Sequence, residues 1–155
     1  MIFVTVGSSA NGFDRIIRIV DELKTEGKIK EEVVMQIGNG SYIPKSCKFF
    51  RFNKIEDIEK LNKNARVVIT HAGAGSIITA LKYKTPVIIV PRLKDLGEHT
   101  DNHQLEIAKT LEKEGKVLVA TEKNSLLKQL KRIHKIKITT RKGWLNIRKE
   151  IEKFL

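Results

Sequence analysis

The sequence predicts an α/β fold: a single Rossmann-like three-layer domain with a mostly parallel sheet of about six strands. Short apolar runs alternate with segments of helical periodicity along most of the chain. The runs are almost wholly apolar, which is typical of strands that are covered on both faces. Helical segments also separate the runs, as the crossovers between parallel strands require. The length of 155 residues suits one domain.

The predicted elements follow from the apolar pattern. Apolar residues recur at helical spacing from Phe13 onward, which predicts a helix that ends at Gly27. Asn53 is the predicted N-cap of the second helix, and Asp101 and Gln104 have the spacing of a capping box at the start of a later one. The predicted strands are residues 2–6, 33–37, 48–52, 66–70, 86–90 and 117–120, and two basic helices follow near 124–133 and 144–154.

Lys and Arg number 30 against 18 Asp and Glu, a formal net charge of +12. Such charge attracts nucleic acid, anionic membrane surfaces or phosphorylated ligands. A general bias toward lysine in the source proteome explains it equally well. Aromatic residues are few and no nucleic-acid recognition motif is present, so we expect no nucleic-acid partner.

Cys47 is the single cysteine, which excludes an internal disulfide and a cysteine-based metal cluster. No apolar run is long enough to cross a bilayer, and the first residues lack the pattern of a secretory signal. These features predict a cytoplasmic protein.

Three loops of unusual composition follow predicted strands, at the edge of a parallel sheet where ligands collect. The glycine loop, residues 7–12, opens with Gly7, Ser8 and Ser9 and precedes a helix. Small residues let a ligand approach the backbone, and a helix start offers amide donors to phosphate or sugar. A simple glycine turn is the alternative.

The histidine loop, residues 71–76, reads His-Ala-Gly-Ala-Gly-Ser. It has neither the Walker nor the dinucleotide pattern, but bare amides at a helix start can surround a diphosphate in the same way. The Ser76 hydroxyl adds a donor, and His71 can hydrogen-bond to phosphate or to a sugar hydroxyl. A structural role for this histidine is the alternative.

The polar loop, residues 98–104, gathers hydroxyl, amide, imidazole and carboxylate groups of the kind that sugars require. A metal site of His99, Asp101 and His103 is the rival interpretation. We rank it lower because the predicted helix begins within that set. An ordinary polar cap accounts only for Asp101 and Gln104. The prediction is therefore a sugar-contacting loop, with neither metal nor cofactor.

Three motifs in order, residues 71–76, Pro-Val-Ile-Ile-Val-Pro at 86–91 and Asp-Asn-His-Gln at 101–104, resemble the donor-binding, C-terminal half of GT-B glycosyltransferases of family 28. The sequence is similar in particular to the small cytosolic subunits of two-subunit UDP-GlcNAc transferases of dolichol-linked oligosaccharide synthesis and to exopolysaccharide glycosyltransferase subunits. The likeness runs from residue 1 to about 120.

The resemblance implies half of a GT-B fold and a donor-binding subunit of an inverting glycosyltransferase. Such a subunit moves a hexose, GlcNAc, from a UDP-sugar to a lipid-linked acceptor, and it is inactive without a membrane-anchored, acceptor-binding partner that holds it at the cytosolic membrane face. Residues 1–155 then form one sugar-nucleotide-binding domain, with a core at 1–122 and basic C-terminal helices at 123–155. A non-catalytic sugar-nucleotide binder is the alternative function, and a basic nucleic-acid-binding protein ranks below it.

The resemblance also implies the site residues. The residues matched to the donor diphosphate and sugar are Gly7, Ser8, Ser9, His71, Gly73, Ala74, Gly75, Ser76, Asn102, His103 and Gln104. The positions matched to the nucleoside are Phe52, Ile55 and Thr79. The general base is unassigned, with His71 and His99 as candidates.

Thr79 departs from the family pattern, which has a glutamate seven residues before the proline of the fifth strand, Pro86. A carboxylate accepts hydrogen bonds from both ribose hydroxyls, whereas one hydroxyl makes a single such bond. Another nucleotide, or a degenerate donor site, therefore stays open.

The segment 128–155 is strongly basic and carries Trp144, Ile147 and Ile151, followed by Phe154 and Leu155, at helical spacing. Such a helix docks on a partner subunit or rests on an anionic membrane. Packing on its own domain is the alternative.

Overall fold

A computed structural model describes residues 1–135, 148–149 and 151–153. The strands in these residues are β1 Ile2–Thr5, β2 Val33–Gln36, β3 Lys48–Phe50, β4 Val67–Thr70, β5 Val87–Ile89 and β6 Leu118–Val119. The helices are α1 Asp14–Thr25, α2 Ile55–Asn64, α3 Ala74–Lys82, α4 His103–Lys113 and α5 Lys123–Arg132, with short 3₁₀ turns at Lys94–Leu96 and Ile133–Lys135. The predicted α/β class is confirmed, and each strand is one or two residues shorter than predicted.

The strands form one sheet in the order β3-β2-β1-β4-β5-β6, and every pair is parallel. The chain moves outward from β1 to β3 and then returns to β4 beside β1. This reversal leaves a crevice at the carboxyl ends of β1 and β4, where Thr5 and Thr70 are paired. The glycine and histidine loops leave the sheet at this point.

Helices cover both faces of the sheet, which gives the predicted three layers. One core cluster joins α1 and α5 to the sheet through residues such as Ile17 and Leu126. The other joins α3 and α4 through Ile77 and Ile107, and α2 packs against its rim. Because β-strand side chains alternate between faces, the central strands β1, β4 and β5 contribute to both clusters.

Two predicted helix starts were wrong. The N-cap of α2 is Lys54, and the Asn53 side chain instead accepts a hydrogen bond from the Lys54 amide at 2.8 Å. The N-cap of α4 is Asn102 and no capping box forms, because the Gln104 side chain accepts a hydrogen bond from the buried Arg92 amide at 3.0 Å. At Gln104 a tertiary contact therefore replaces the local capping pattern.

The C-terminal prediction falls largely on Trp144, Ile147, Phe154 and Leu155, which lie outside the described residues. Ile151 is fully buried in the cluster with α3 and α4, so at this position the helix packs on its own domain. No helix in residues 1–135, 148–149 and 151–153 combines the length and the apolarity that crossing a membrane requires.

Candidate functional site

An open cavity of about 360 Å³ lies at the carboxyl edge of the sheet, between the glycine loop, α2 and α3. It is lined by Thr5, Gly7, Ser8, Gln36, Asn53, Ile55, Ile58, Glu59, Asn62, Gly75, Ser76 and Thr79. Six of the predicted site residues are among them: Gly7, Ser8, Ile55, Gly75, Ser76 and Thr79. The cavity therefore joins positions predicted for the diphosphate with positions predicted for the nucleoside.

The floor of the cavity is a pair of buried polar side chains on β1 and β2. The Thr5 hydroxyl donates to Gln36 Oε1 at 2.6 Å and accepts a hydrogen bond from the Gly7 amide at 3.2 Å. Gly7 has φ of +70°, a left-handed conformation that glycine adopts without strain. The floor thus fixes the first turn of the glycine loop.

The His71 imidazole lies directly beneath Gly7 and Gly73. A Cβ atom added to Gly73 would be 2.1 Å from His71 Nε2, and one added to Gly7 would be 3.0 Å from Cε1. Only residues without a Cβ let the backbone of both loops come this close to the ring. The His71 ring therefore packs against the backbone of both the glycine loop and the histidine loop.

Burial, together with the nearby positive charge of Arg92, lowers the pKa of His71 to about 4, so the ring is neutral at neutral pH. Thr70 Oγ1 lies 3.2 Å from His71 Nδ1 and donates its hydrogen to the Thr5 carbonyl at 2.9 Å. Because that hydroxyl has one hydrogen, the network assigns the ring proton to Nδ1 and leaves Nε2 as an acceptor. This tautomer suits a ligand hydroxyl better than a phosphate.

The start of α3 supplies the amides for an anion. Gly73 is the N-cap, and the first-turn amides of Ala74, Gly75 and Ser76 have no partner within the helix. A Cβ added to Gly75 would meet no heavy atom within 4 Å, so Gly75 faces open space in the cavity. A positive helix end with unpaired amides favours a phosphate group here.

Of the three positions predicted for the nucleoside, two line the cavity and one does not. Ile55, at the start of α2, is 76% exposed and lines the cavity with Ile58. Thr79 faces the cavity from α3, but its hydroxyl donates to the Gly75 carbonyl at 2.8 Å. Phe52 is half exposed and lies outside the lining. The apolar side of the cavity therefore belongs to the start of α2.

Asn102, His103 and Gln104 lie at the start of α4, outside the cavity lining. The Asn102 side chain accepts a hydrogen bond from the Lys94 amide at 3.1 Å, and Gln104 holds the Arg92 amide. His99 Nδ1 lies 3.1 Å from Asp101 Oδ1. Throughout the described part of the chain, no three His, Cys, Asp or Glu side chains converge in a way that would hold a metal ion.

Ser9 is exposed at the tip of the glycine loop, where its carbonyl accepts a hydrogen bond from the Asn39 side chain at 2.9 Å. Ala74 is partly buried against the α3 and α4 cluster. Neither residue lines the cavity, although the Ala74 amide is one of the unpaired first-turn amides of α3.

Sequence reasoning missed Arg92, which is 2% exposed and anchors the glycine loop. Its guanidinium donates to the carbonyls of Gly12 at 2.8 Å and Asn11 at 3.1 Å, and it lies 4.9 Å from the centre of the Phe13 ring. The available signal was a charged residue two positions after the predicted fifth strand, 86–90. Glu59 and Asn62 on α2 were missed too, because their approach to the cavity depends on how α2 packs.

Residues 1–143 match the model of the glycosyltransferase family 28 C-terminal domain. The chain belongs to this family. Among its relatives, the human UDP-N-acetylglucosamine transferase subunit ALG13 is 35% identical over 133 residues, which cover 77% of this chain and 11% of the relative. This family 28 domain thus spans about a tenth of the length of that relative.

Solved structures share the fold. The match to the NMR solution structure of ALG13 covers 88% of this family 28 domain and 86% of the ALG13 chain, with a TM-score of 0.60 and 20% identity. The match to the glycosyltransferase SnogD from Streptomyces nogalater covers 99% of this domain and 39% of the SnogD chain, with a TM-score of 0.61 and 22% identity. The predicted half of a GT-B fold is confirmed.

Proposed function

We propose that this family 28 domain binds the donor of an inverting glycosyltransferase and transfers a hexose, GlcNAc, from a UDP-sugar. The observation that carries the proposal is the cavity between the α3 amides and the start of α2. An anion-binding helix start at one end and an apolar side at the other match the two ends of a nucleoside diphosphate. The human relative, by its name, is a UDP-N-acetylglucosamine transferase subunit.

The diphosphate would lie against the first-turn amides of α3, with the sugar above the glycine loop. An acceptor hydroxyl attacks the anomeric carbon, and the bond from that carbon to the diphosphate oxygen breaks with inversion. The electron pair leaves with the diphosphate, whose growing charge the amides of Gly75 and Ser76 stabilise. The proposal needs no metal for this step.

The general base is assigned to a partner. His71 lies beneath the backbone with Nδ1 committed, and His99 lies on the polar loop, outside the cavity lining. The acceptor hydroxyl would approach from the open side of the cavity, so its proton is best taken by a group on the subunit that holds the acceptor. We propose that this partner is membrane-anchored, that the acceptor is lipid-linked, and that the chain works at the cytosolic membrane face.

The test is a transfer assay with membranes from a strain in which this chain has been deleted. Purified chain is added with radiolabelled UDP-GlcNAc, UDP-glucose or UDP-galactose, and label is counted in the organic extract. We expect GlcNAc to enter the lipid fraction only when the chain is present. Gly75→Trp, which fills the cavity, should abolish transfer, whereas Lys109→Trp on the exposed face of α4 should not.

Chain-independent labelling of lipid would contradict the proposed transfer. Labelling from UDP-glucose or UDP-galactose in place of UDP-GlcNAc would overturn the assignment of the sugar. UDP-sugar binding without any transfer would instead favour the non-catalytic binder.

A further inference from the structure

Glu59 is the charged side chain on the cavity wall; the other described residues of the lining are uncharged. It lies on α2 one turn after Ile55, and its carboxylate accepts a hydrogen bond from Lys82 on α3 at 2.9 Å. That bond ties α2 to α3 across the end of the cavity farthest from the first turn of α3. A negative charge at this end of the cavity repels the phosphate groups of a bound anion, so the phosphates are expected at the other end.

The opposite wall offers no carboxylate. Thr79 faces the cavity from α3, and its hydroxyl hydrogen is already committed to the Gly75 carbonyl at 2.8 Å. It can accept one hydrogen bond from a ligand but cannot receive a pair of hydroxyl donors in the way that two carboxylate oxygens can.

Unused hydrogen-bonding capacity lies beside Glu59. Asn62, three residues later on α2, also lines the cavity and is 1% exposed. Its amide donates to the Ile58 carbonyl at 2.8 Å, while its Oδ1 is the one buried side-chain polar atom within the described residues that has no partner. A buried acceptor without a partner indicates a site that a ligand or water completes.

We propose that the Glu59 carboxylate binds the vicinal 2′- and 3′-hydroxyls of a ribonucleoside diphosphate, from the α2 side of the cavity. This inference rests on the proposed donor site and names the residue that holds its pentose. A carboxylate accepts from two neighbouring hydroxyls at once, and charge-assisted hydrogen bonds are stronger than neutral ones. The same charge repels phosphate, which directs the diphosphate to the α3 amides.

Lys82 keeps the carboxylate in place for this role. Its hydrogen bond to Glu59 holds the pKa of that carboxyl below the ordinary value, so Glu59 stays an acceptor at neutral pH. The bond engages Oε1, which orients the group along the wall between α2 and α3.

The experiment measures dissociation constants of the full chain for UDP, 2′-deoxy-UDP and 3′-deoxy-UDP by calorimetry. We expect the unaltered chain to prefer UDP over either deoxy analogue by about tenfold or more. Glu59→Gln should weaken UDP binding by about 10- to 100-fold and bring the preference close to one. Glu56→Gln, at an exposed carboxylate on the same helix, should change neither quantity.

If UDP binds but Glu59→Gln leaves the preference for ribose intact, Glu59 does not hold the pentose, and the donor-site proposal stands without it. An equal loss for UDP and its deoxy analogues would make Glu59 a structural residue and overturn the inference. Failure of the unaltered chain to bind any of the three nucleotides would overturn the donor site and this inference together.

Discussion

Gly73 leaves the space that the His71 imidazole occupies: a Cβ atom on residue 73 would lie 2.1 Å from Nε2 and 2.7 Å from Cε1. The ring is buried and is held through Nδ1 beside Thr70, so it has little freedom to move away. The histidine loop therefore depends on glycine at this position for packing, apart from any contact that its backbone makes with a ligand.

Gly73→Ala is expected to lower the free energy of unfolding by about 1–3 kcal/mol, because the added methyl group overlaps the buried ring. Urea denaturation measures the change. Gly75→Ala is the matched control, since its Cβ would point into open space and alanine favours a helix. In the double variant His71→Ala/Gly73→Ala, the cost of the glycine replacement should largely disappear. Equal stability of the Gly73→Ala and Gly75→Ala variants would contradict this packing.

The buried state of His71 predicts a loss of stability in mild acid. Burial lowers its pKa from 6.5 to about 4, so the unfolded chain takes up a proton at a pH where the folded chain does not. The stability present above pH 6.5 is lost as the pH falls toward 4, by about 3.5 kcal/mol at most, since one pKa unit corresponds to about 1.4 kcal/mol.

Urea denaturation between pH 7 and pH 4 tests this slope. His71→Gln should flatten the part of the profile between the two pKa values. A His71→Gln variant whose profile is as steep as that of the unaltered chain would assign the acid sensitivity to other groups.

Arg92 is expected to depress the pKa of His71 through its charge, as the second cause after burial. Arg92→Met should therefore raise the His71 pKa, while burial keeps it below the ordinary value. An NMR titration of the imidazole resonances measures the shift. Arg15→Met serves as the control because its guanidinium pairs with Glu98 at 2.7 Å. An unchanged titration in Arg92→Met would show that burial acts alone.

Asp21 fastens the loop before β3 to α1. Burial raises the pKa of its carboxyl, but hydrogen bonds from the amides of Lys45 and Ser46 and from the Tyr42 hydroxyl outweigh burial, and the pKa lies below the ordinary value. Such a group stabilises the fold above the pKa of an unfolded carboxyl, and its contribution fades as the pH falls.

Asp21→Asn should therefore lower the free energy of unfolding by about 1–3 kcal/mol at neutral pH, and the deficit should shrink in acid. Thermal unfolding at several pH values measures both effects. Asp95→Asn, at an exposed carboxylate in the turn after β5, should be neutral. A deficit that persists unchanged in acid would mean that the charge of Asp21 is not the cause.

Much of this fold could be predicted from the sequence because its signals are local. Runs such as that of β5 are apolar throughout, and the helical spacing from Phe13 onward matches one buried face. The glycine and histidine loops could also be predicted to meet, because parallel strands end at the same edge of the sheet.

What sequence reasoning could not supply depends on packing between distant segments. Gln104 fitted a capping pattern, yet its side chain bonds to Arg92, and that choice depends on how the loop after β5 folds back. Glu59 was not among the predicted site residues, because only the packing of α2 against α3 brings it to the cavity wall. Such contacts have no short-range sequence signature.

The most direct test of the donor site is calorimetric titration of the full chain with UDP, UDP-GlcNAc, UDP-glucose, GDP and ADP. We expect selective binding of the uridine nucleotides, which Gly75→Trp abolishes because the new side chain occupies the cavity, and which Lys109→Trp leaves intact. Binding that survives Gly75→Trp, or an absence of binding to every nucleotide in the series, would contradict the donor site.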